Sequence, residues 1–164
     1  MEAHHLFGVS YERIDVVVHP QSLIHGLVQL ADGAMLAHIG PKDMRIAISY
    51  ALHGAASVGL PVSPLDLVQV GALTFEAVDI EAFPCLRLAR DAAREGGTAP
   101  CVLNAANEIA VHAFLAGRLP FLGIPEVIER TLDTLGTSPV RAFESLYEAD
   151  REARALAQDT VMML

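Results

Sequence analysis

Leu23-Ile24-His25-Gly26-Leu27-Val28-Gln29-Leu30-Ala31-Asp32-Gly33-Ala34-Met35-Leu36-Ala37-His38-Ile39 is a pair of apolar runs joined by Ala-Asp-Gly. Asp-Gly between apolar runs is a strong hairpin signal, because the tight turn requires positive φ. With Asp32 and Gly33 as the two loop residues, Leu30 faces Met35, Val28 faces Ala37 and Gly26 faces Ile39. Side chains alternate along a strand, so this wholly apolar face is expected to be core. The other face carries Leu23, His25, Leu27 and Gln29 beside Ala34, Leu36 and His38. That mixture suits the wall of a site or a subunit interface. His25 and His38 are near-diagonal neighbours on it, roughly 5 to 8 Å apart.

Before the hairpin, Ile14 to Val18 is a β-branched run that favours a strand, and Pro20 ends it by removing a donor. Met1 to Phe7 reads as the inside of a helix without a capping residue, as expected of a start set within a longer sequence. After the hairpin, Pro41 opens a helix with Asp43 in its first turn, where the helix dipole favours an acid. Gly54 stops that helix after His53. Residues 55–66 hold Gly59, Pro61 and Pro64 and read as a surface loop. Leu73 to Phe75 is a candidate short strand.

From Pro84 the periodicity becomes helical. Cys85, Leu88, Ala89, Ala92 and Ala93 mark one helix, ended by Gly96-Gly97. Val102, Leu103, Ala106, Ile109, Ala110, Ala113 and Phe114 mark a second, closed by Gly117. A third runs from about Pro125 to Gly136 and a fourth from about Phe143 to Met162. Short connections between amphipathic helices imply a small bundle. The expected fold is α+β: a small, mostly antiparallel sheet with a helix over residues 1–82, then an all-α four-helix terminal domain over 83–164.

Composition narrows the function classes. The chain has 164 residues, 52% of them hydrophobic, which excludes a disordered tail. A formal net charge of -9 opposes nucleic-acid binding, since an acidic surface repels phosphates. No stretch is long and apolar enough to span a bilayer, and no secretory signal is read. The two cysteines, Cys85 and Cys101, lack metal-site spacing and read as buried thiols of a reducing cytoplasm. No internal repeat is present.

Two stretches are family signatures. Ile14-Asp15-Val16-Val17-Val18-His19-Pro20-Gln21-Ser22-Leu23-Ile24-His25, with its His-Pro-Gln-Ser-x-Ile-His core, resembles the 1-deoxy-D-xylulose 5-phosphate reductoisomerase family. So does Leu103-Asn104-Ala105-Ala106-Asn107-Glu108. Asp32-Gly33, Pro41-Lys42-Asp43-Met44-Arg45 and Pro84-Cys85-Leu86 follow the family in order. The resemblance implies an enzyme of isoprenoid biosynthesis. It rearranges 1-deoxy-D-xylulose 5-phosphate and reduces the product with NADPH to 2-C-methyl-D-erythritol 4-phosphate, using Mg or Mn. It also implies that the nucleotide-binding domain and the metal-binding acidic motifs precede this chain. No metal ligand is expected here, and the chain alone is expected to be inactive. The family is dimeric, so a homodimer is implied.

By resemblance, Ser22 and His25 line the pocket near the substrate phosphate and nicotinamide, where a hydroxyl and an imidazole can donate to anionic oxygens. Their plainer reading is a turn serine and a packed histidine. Met44 resembles a methionine lying against the nicotinamide, and a polarizable thioether suits an aromatic ring; core filling is its alternative. His19 is expected to make structural hydrogen bonds, since imidazole can satisfy two backbone groups. Asn104, Asn107 and Glu108 are expected to brace one domain against another through buried amides. Two rivals stand beside this reading: a zinc site on His25 and His38 with an added carboxylate, and a non-catalytic dimerisation module.

Overall fold

The computed structural model describes every residue except Ala55 and Ser57, so that part of the expected 55–66 loop lies outside the described residues. The chain divides into two compact units, Val16–Val78 and a helical unit formed by Met1–Asp15 with Asp79–Leu164. The expected boundary is at residues 82–83, and the division here falls between Val78 and Asp79. Residues 1–15, however, belong with the helices rather than with the sheet segment.

The helical unit opens with α1 (Glu2–Phe7) and then uses α4 (Pro84–Glu95), α5 (Ala99–Leu115), α6 (Gly123–Leu135) and α7 (Phe143–Met163). Pro84 begins α4, where a missing N–H costs nothing, and Gly96 ends it by donating its N–H to Ala92 O. The buried stripe of α5 is mostly alanine: Ala99, Ala105, Ala106, Ala110 and Ala113 recur at helical spacing. Ala153 and Ala157 of α7 are buried too. Small side chains let helix backbones approach closely, and Leu88, Val127 and Ile128 fill the remaining core. Thr131 is fully buried, and its hydroxyl donates to Val127 O at 2.7 Å, so it leaves no orphaned polar atom.

One glycine here is required by space. Gly97 has φ +55, and a Cβ on it would stand 2.5 Å from Ser138 O. That closeness lets Thr98 N donate to Ser138 O (3.0 Å) while Ser138 N donates to Thr98 Oγ1 (2.9 Å), tying the segment after α6 to the start of α5.

In the unit Val16–Val78, two two-stranded antiparallel sheets form. The first pairs β1 (Val17–Val18) with β4 (Glu76–Ala77); the second pairs β2 (Ile24–Gln29) with β3 (Met35–Ile39). Helix α2 (Met44–His53) follows β3, and a single turn, α3 (Leu67–Val70), precedes β4. Asp43 is the N-cap of α2 rather than a first-turn residue, accepting from Arg45 N at 2.9 Å, so Pro41 stands ahead of the helix. The strand expected at Leu73–Phe75 lies at Glu76–Ala77, and only Val17–Val18 of the run from Ile14 pairs. Strand state there is decided by which residues meet a partner.

The hairpin register differs from expectation by one residue. Gln29 pairs with Met35, Val28 with Leu36 and Leu27 with Ala37. The loop has three residues, Ala31 to Gly33: Gly33 N donates to Leu30 O (3.1 Å) and Leu30 N to Ala34 O (2.8 Å). Asp32 Oδ1 accepts from Ala34 N, and Gly33 takes φ 89. Asp-Gly serves this three-residue loop as well as the two-residue one. Because the side-chain period is two, the slip puts Val28 and Leu36 together and sets Leu27 on the opposite face. The expected core face is not core. Val28 is 59% exposed and Met35 56%, because no described element of this unit covers either side of the ribbon. A two-stranded ribbon buries a face only against another layer.

The cysteines also depart from expectation. Cys85 is exposed and Cys101 partly buried. Cys85 follows Pro84 in the first turn of α4, which is not covered there. The Cys101 thiol donates to Leu146 O at 3.5 Å, and burial, with Asp150 nearby, pushes its pKa up. No helix among the described residues is long and apolar enough to cross a membrane.

Candidate functional site

The segment leaving β1 makes a tight turn. Ser22 N donates to His19 O at 2.9 Å, with Pro20 presetting φ at the second position. Ser22 emerges with φ 51, the one non-glycine residue with positive φ among the described residues. A Cβ is unfavourable in that region, so surrounding contacts must hold it there.

Those contacts come from residue 74. His19 Nδ1 donates to Thr74 O at 2.8 Å, and the ring stacks on Phe75 with centroids 4.8 Å apart and planes at 17°. Gln21 Nε2 donates to Thr74 Oγ1 (2.9 Å), and Gln21 Oε1 accepts from Thr74 N (3.2 Å). The β1–β4 register, Val17 opposite Ala77 and Val18 opposite Glu76, delivers Thr74 to this turn. His19 thus bonds one backbone group. With its proton on Nδ1, the buried Nε2 is an acceptor and has no partner among the described residues.

Beyond Ser22, Gly40 N donates to Leu23 O at 2.9 Å, which closes the base of the hairpin and brings the residues after β3 beside the residues before β2. The ladder is bulged at His25: Ile24 pairs with Ile39 and Gly26 with His38, leaving His25 as the extra residue. A bulge re-aims a side chain, and here the His25 ring stands 5.7 Å from that of His38, tilted by 40°. Among the described residues no group of three histidine, cysteine or acidic side chains can hold a metal, so the zinc reading gains no third ligand.

Met44 is the first residue of α2, a few residues beyond Gly40, and is 71% exposed. Beside it, the Arg45 guanidinium donates to the Asp43 carboxylate from Nε at 2.9 Å and holds its pKa down at about 2. Asp43 is therefore ionised at neutral pH and fixes the start of the helix that carries Met44. Ser22 precedes β2, His25 lies at its bulge and Met44 begins the helix after β3, and all three side chains are exposed.

Asn104, Asn107 and Glu108 lie in the helical unit, and neither amide is buried. Asn104 Nδ2 donates to Glu108 Oε1 at 3.2 Å, and Arg154 donates to Glu108 Oε2 at 2.8 Å and to Asp150 at 2.7 Å. The tie runs from α5 to α7 within one unit. Arg154 lowers the Glu108 pKa, by its hydrogen bond first and its charge second.

Sequence reasoning missed Gln21 and Thr74. Gln21 sits inside the signature run, but nothing local marks Thr74 as its partner. The bulge did leave a sign, since an isolated glycine within a strand, Gly26, commonly accompanies one.

Residues 39–156 match the family model described as DXP reductoisomerase C-terminal domain. The 1-deoxy-D-xylulose 5-phosphate reductoisomerase of Xanthomonas campestris pv. campestris (strain 8004) is 55% identical over 154 residues, covering 94% of this chain and 39% of that protein. The enzyme of the same name from Nitratidesulfovibrio vulgaris (strain DP4) is 53% identical over 154 residues, covering 92% and 38%. Among solved structures, the Zymomonas mobilis reductoisomerase in complex with NADPH superposes with a TM-score of 0.91 at 41% identity, covering 99% of this chain and 43% of that one. A DOX-P reductoisomerase in complex with NADPH, fosmidomycin and magnesium gives 0.88 at 37% identity, covering 99% and 42%. The chain thus spans about 39% of the length of the curated relative from Xanthomonas.

Proposed function

The chain belongs to the DXP reductoisomerase family, and from that premise we propose that it is the carboxy-terminal part of an enzyme that converts 1-deoxy-D-xylulose 5-phosphate to 2-C-methyl-D-erythritol 4-phosphate for isoprenoid synthesis. In this reading the hairpin base is one wall of the active site. The observation that carries it is the strained Ser22 next to a bulge that re-aims His25, with exposed Met44 at the same hairpin end. Strain and bulges cluster at functional sites because they cost stability that an ordinary turn or strand would not spend.

Each side chain has a role it can perform as it stands. The Ser22 hydroxyl and His25 imidazole offer donors to the phosphate or to oxygens that gain charge. The Met44 thioether offers a soft face for a nicotinamide ring, and Asp43 with Arg45 holds that face in place. When bound, NADPH supplies the hydride. His19, Asn104, Asn107 and Glu108 act as support. The assembled enzyme is read as a cytoplasmic homodimer. The exposed ribbon, with Val28 and Leu36 side by side, favours a second reading, in which this segment serves association rather than catalysis.

The test uses the full-length enzyme containing this segment, with Ser22→Ala and His25→Gln assayed by loss of NADPH absorbance. A drop of about ten- to a hundredfold in kcat/KM at unchanged melting temperature supports the pocket reading. Unchanged kinetics with a lowered melting temperature for both would leave the segment as scaffold.

A further inference from the structure

The turn that presents Ser22 is held from 53 residues away, and the holding is redundant. All three polar groups of Thr74 are engaged by the His19–Ser22 turn. Its carbonyl accepts from His19 Nδ1 (2.8 Å), its N–H donates to Gln21 Oε1 (3.2 Å), and its hydroxyl accepts from Gln21 Nε2 (2.9 Å). The orientation of the Gln21 amide follows from this set, because a backbone N–H can only donate and must meet the oxygen. Phe75, the residue after Thr74, stacks on the His19 ring. Glycine is the residue that adopts φ 51 without steric cost, yet residue 22 is a serine. The turn needs positive φ, and the chain supplies it with a side chain that resists it.

We infer that Gln21 and Thr74 are positioning residues, whose interlocked side chains hold Ser22 in its left-handed conformation and so aim its hydroxyl at the substrate's anionic oxygens. The inference rests on the reading of Ser22 as a pocket residue. Gln21 and Thr74 touch no ligand in this account; they act through Ser22. Three of the contacts are exposed to competing water, so no single bond holds the turn; the set together over-determines it.

The experiment is a double-mutant cycle in the full-length enzyme. Thr74→Val keeps size and branching and loses the hydroxyl, Thr74→Ser restores it, and Gln21→Glu keeps the acceptor but loses the donor. Thr74→Val and Gln21→Glu should each lower kcat/KM by about three- to tenfold, and Thr74→Ser should stay within about twofold of the parent. In a Ser22→Ala background Thr74→Val should have almost no further effect, because its route to the substrate is gone. Amide hydrogen exchange of Ser22 gives a readout apart from activity, and should quicken in Thr74→Val and Gln21→Glu alone. Should Thr74→Val not fold, the milder Gln21→Glu carries both readouts. Parental kinetics in Gln21→Glu and Thr74→Val, while Ser22→Ala is impaired, would overturn the latch. So would a Thr74→Val loss that persists in full without the Ser22 hydroxyl. A silent Ser22→Ala would instead sink the pocket reading on which the latch depends.

Discussion

Replacing Ser22 by glycine separates the stability of this turn from its use. Ser22 holds φ 51, a region that costs an L-residue about 1 to 2 kcal/mol and costs glycine almost nothing. Glycine also widens the unfolded ensemble, which offsets part of the relief at about 0.5 to 1 kcal/mol. The net expectation for Ser22→Gly is a gain of about 0.5 to 1 kcal/mol, or roughly 1 to 4 °C in Tm for a domain of this size. Ser22→Ala keeps the Cβ and its strain, so its Tm should match the parent. Both variants lose the hydroxyl. If that hydroxyl donates to an anionic oxygen, both should lose about 1.5 to 3 kcal/mol of transition-state binding, a fall of roughly ten- to a hundredfold in kcat/KM. Calorimetry and steady-state NADPH oxidation, on the same full-length preparations, read the two axes. A more stable glycine variant with parental kcat/KM would refute the functional account and make Ser22 a turn residue. A glycine variant that is less stable than the alanine one would refute the strain argument itself.

Val127→Ala in α6 removes a side chain that is 0% exposed and should cost about 1.5 to 3 kcal/mol of transfer and cavity energy, read by urea unfolding of the helical unit's signal. Arg154→Met should change how stability depends on pH. Arg154 holds the Glu108 carboxyl below its ordinary 4.5, so that contribution is complete above this pH and is lost as pH falls through the lower folded value. Tm scans from pH 7 downward should therefore fall less steeply for the variant than for the parent, and parallel curves would remove Glu108 from the tie. Leu36→Glu places a charge on the exposed ribbon face shared with Val28 and should weaken dimerisation in sedimentation, whereas an unaltered dimer would move the interface elsewhere. Residues 1–164 alone, incubated with substrate, NADPH and Mn, should not oxidise the cofactor; turnover above background would overturn the division of labour proposed for this segment.

The helical half was legible because its signals are local. Pro84, Gly96, Gly117 and Gly136 punctuate runs whose period is set by backbone geometry, and the helices lie close to where that period put them. The family was legible because the His-Pro-Gln-Ser-x-Ile-His run carries its residues in contiguous order. The proposed site residues Ser22, His25 and Met44 could be named for the same reason, but not their conformations. Asp-Gly suits two loop lengths, and only the ladder chose the longer one, which exchanged the faces of the ribbon. Burial of an apolar face depends on what stands across from it, so the alternation of Val28 and Leu30 could not tell a core from an exposed sheet. The cysteines repeat the lesson: an apolar stripe marks a helix face, while cover over its first turn comes from elsewhere. Thr74 was invisible as a partner because a hydrogen bond spanning 53 residues leaves no periodicity in the sequence. What the sequence alone determined was the identity of the elements and of the chemistry-bearing side chains, since both follow from residues near one another in the chain. The register, the bulge at His25, the left-handed Ser22 and the Gln21–Thr74 hydrogen bonds were decided by the tertiary structure, because each depends on a pairing between segments that the chain itself keeps apart.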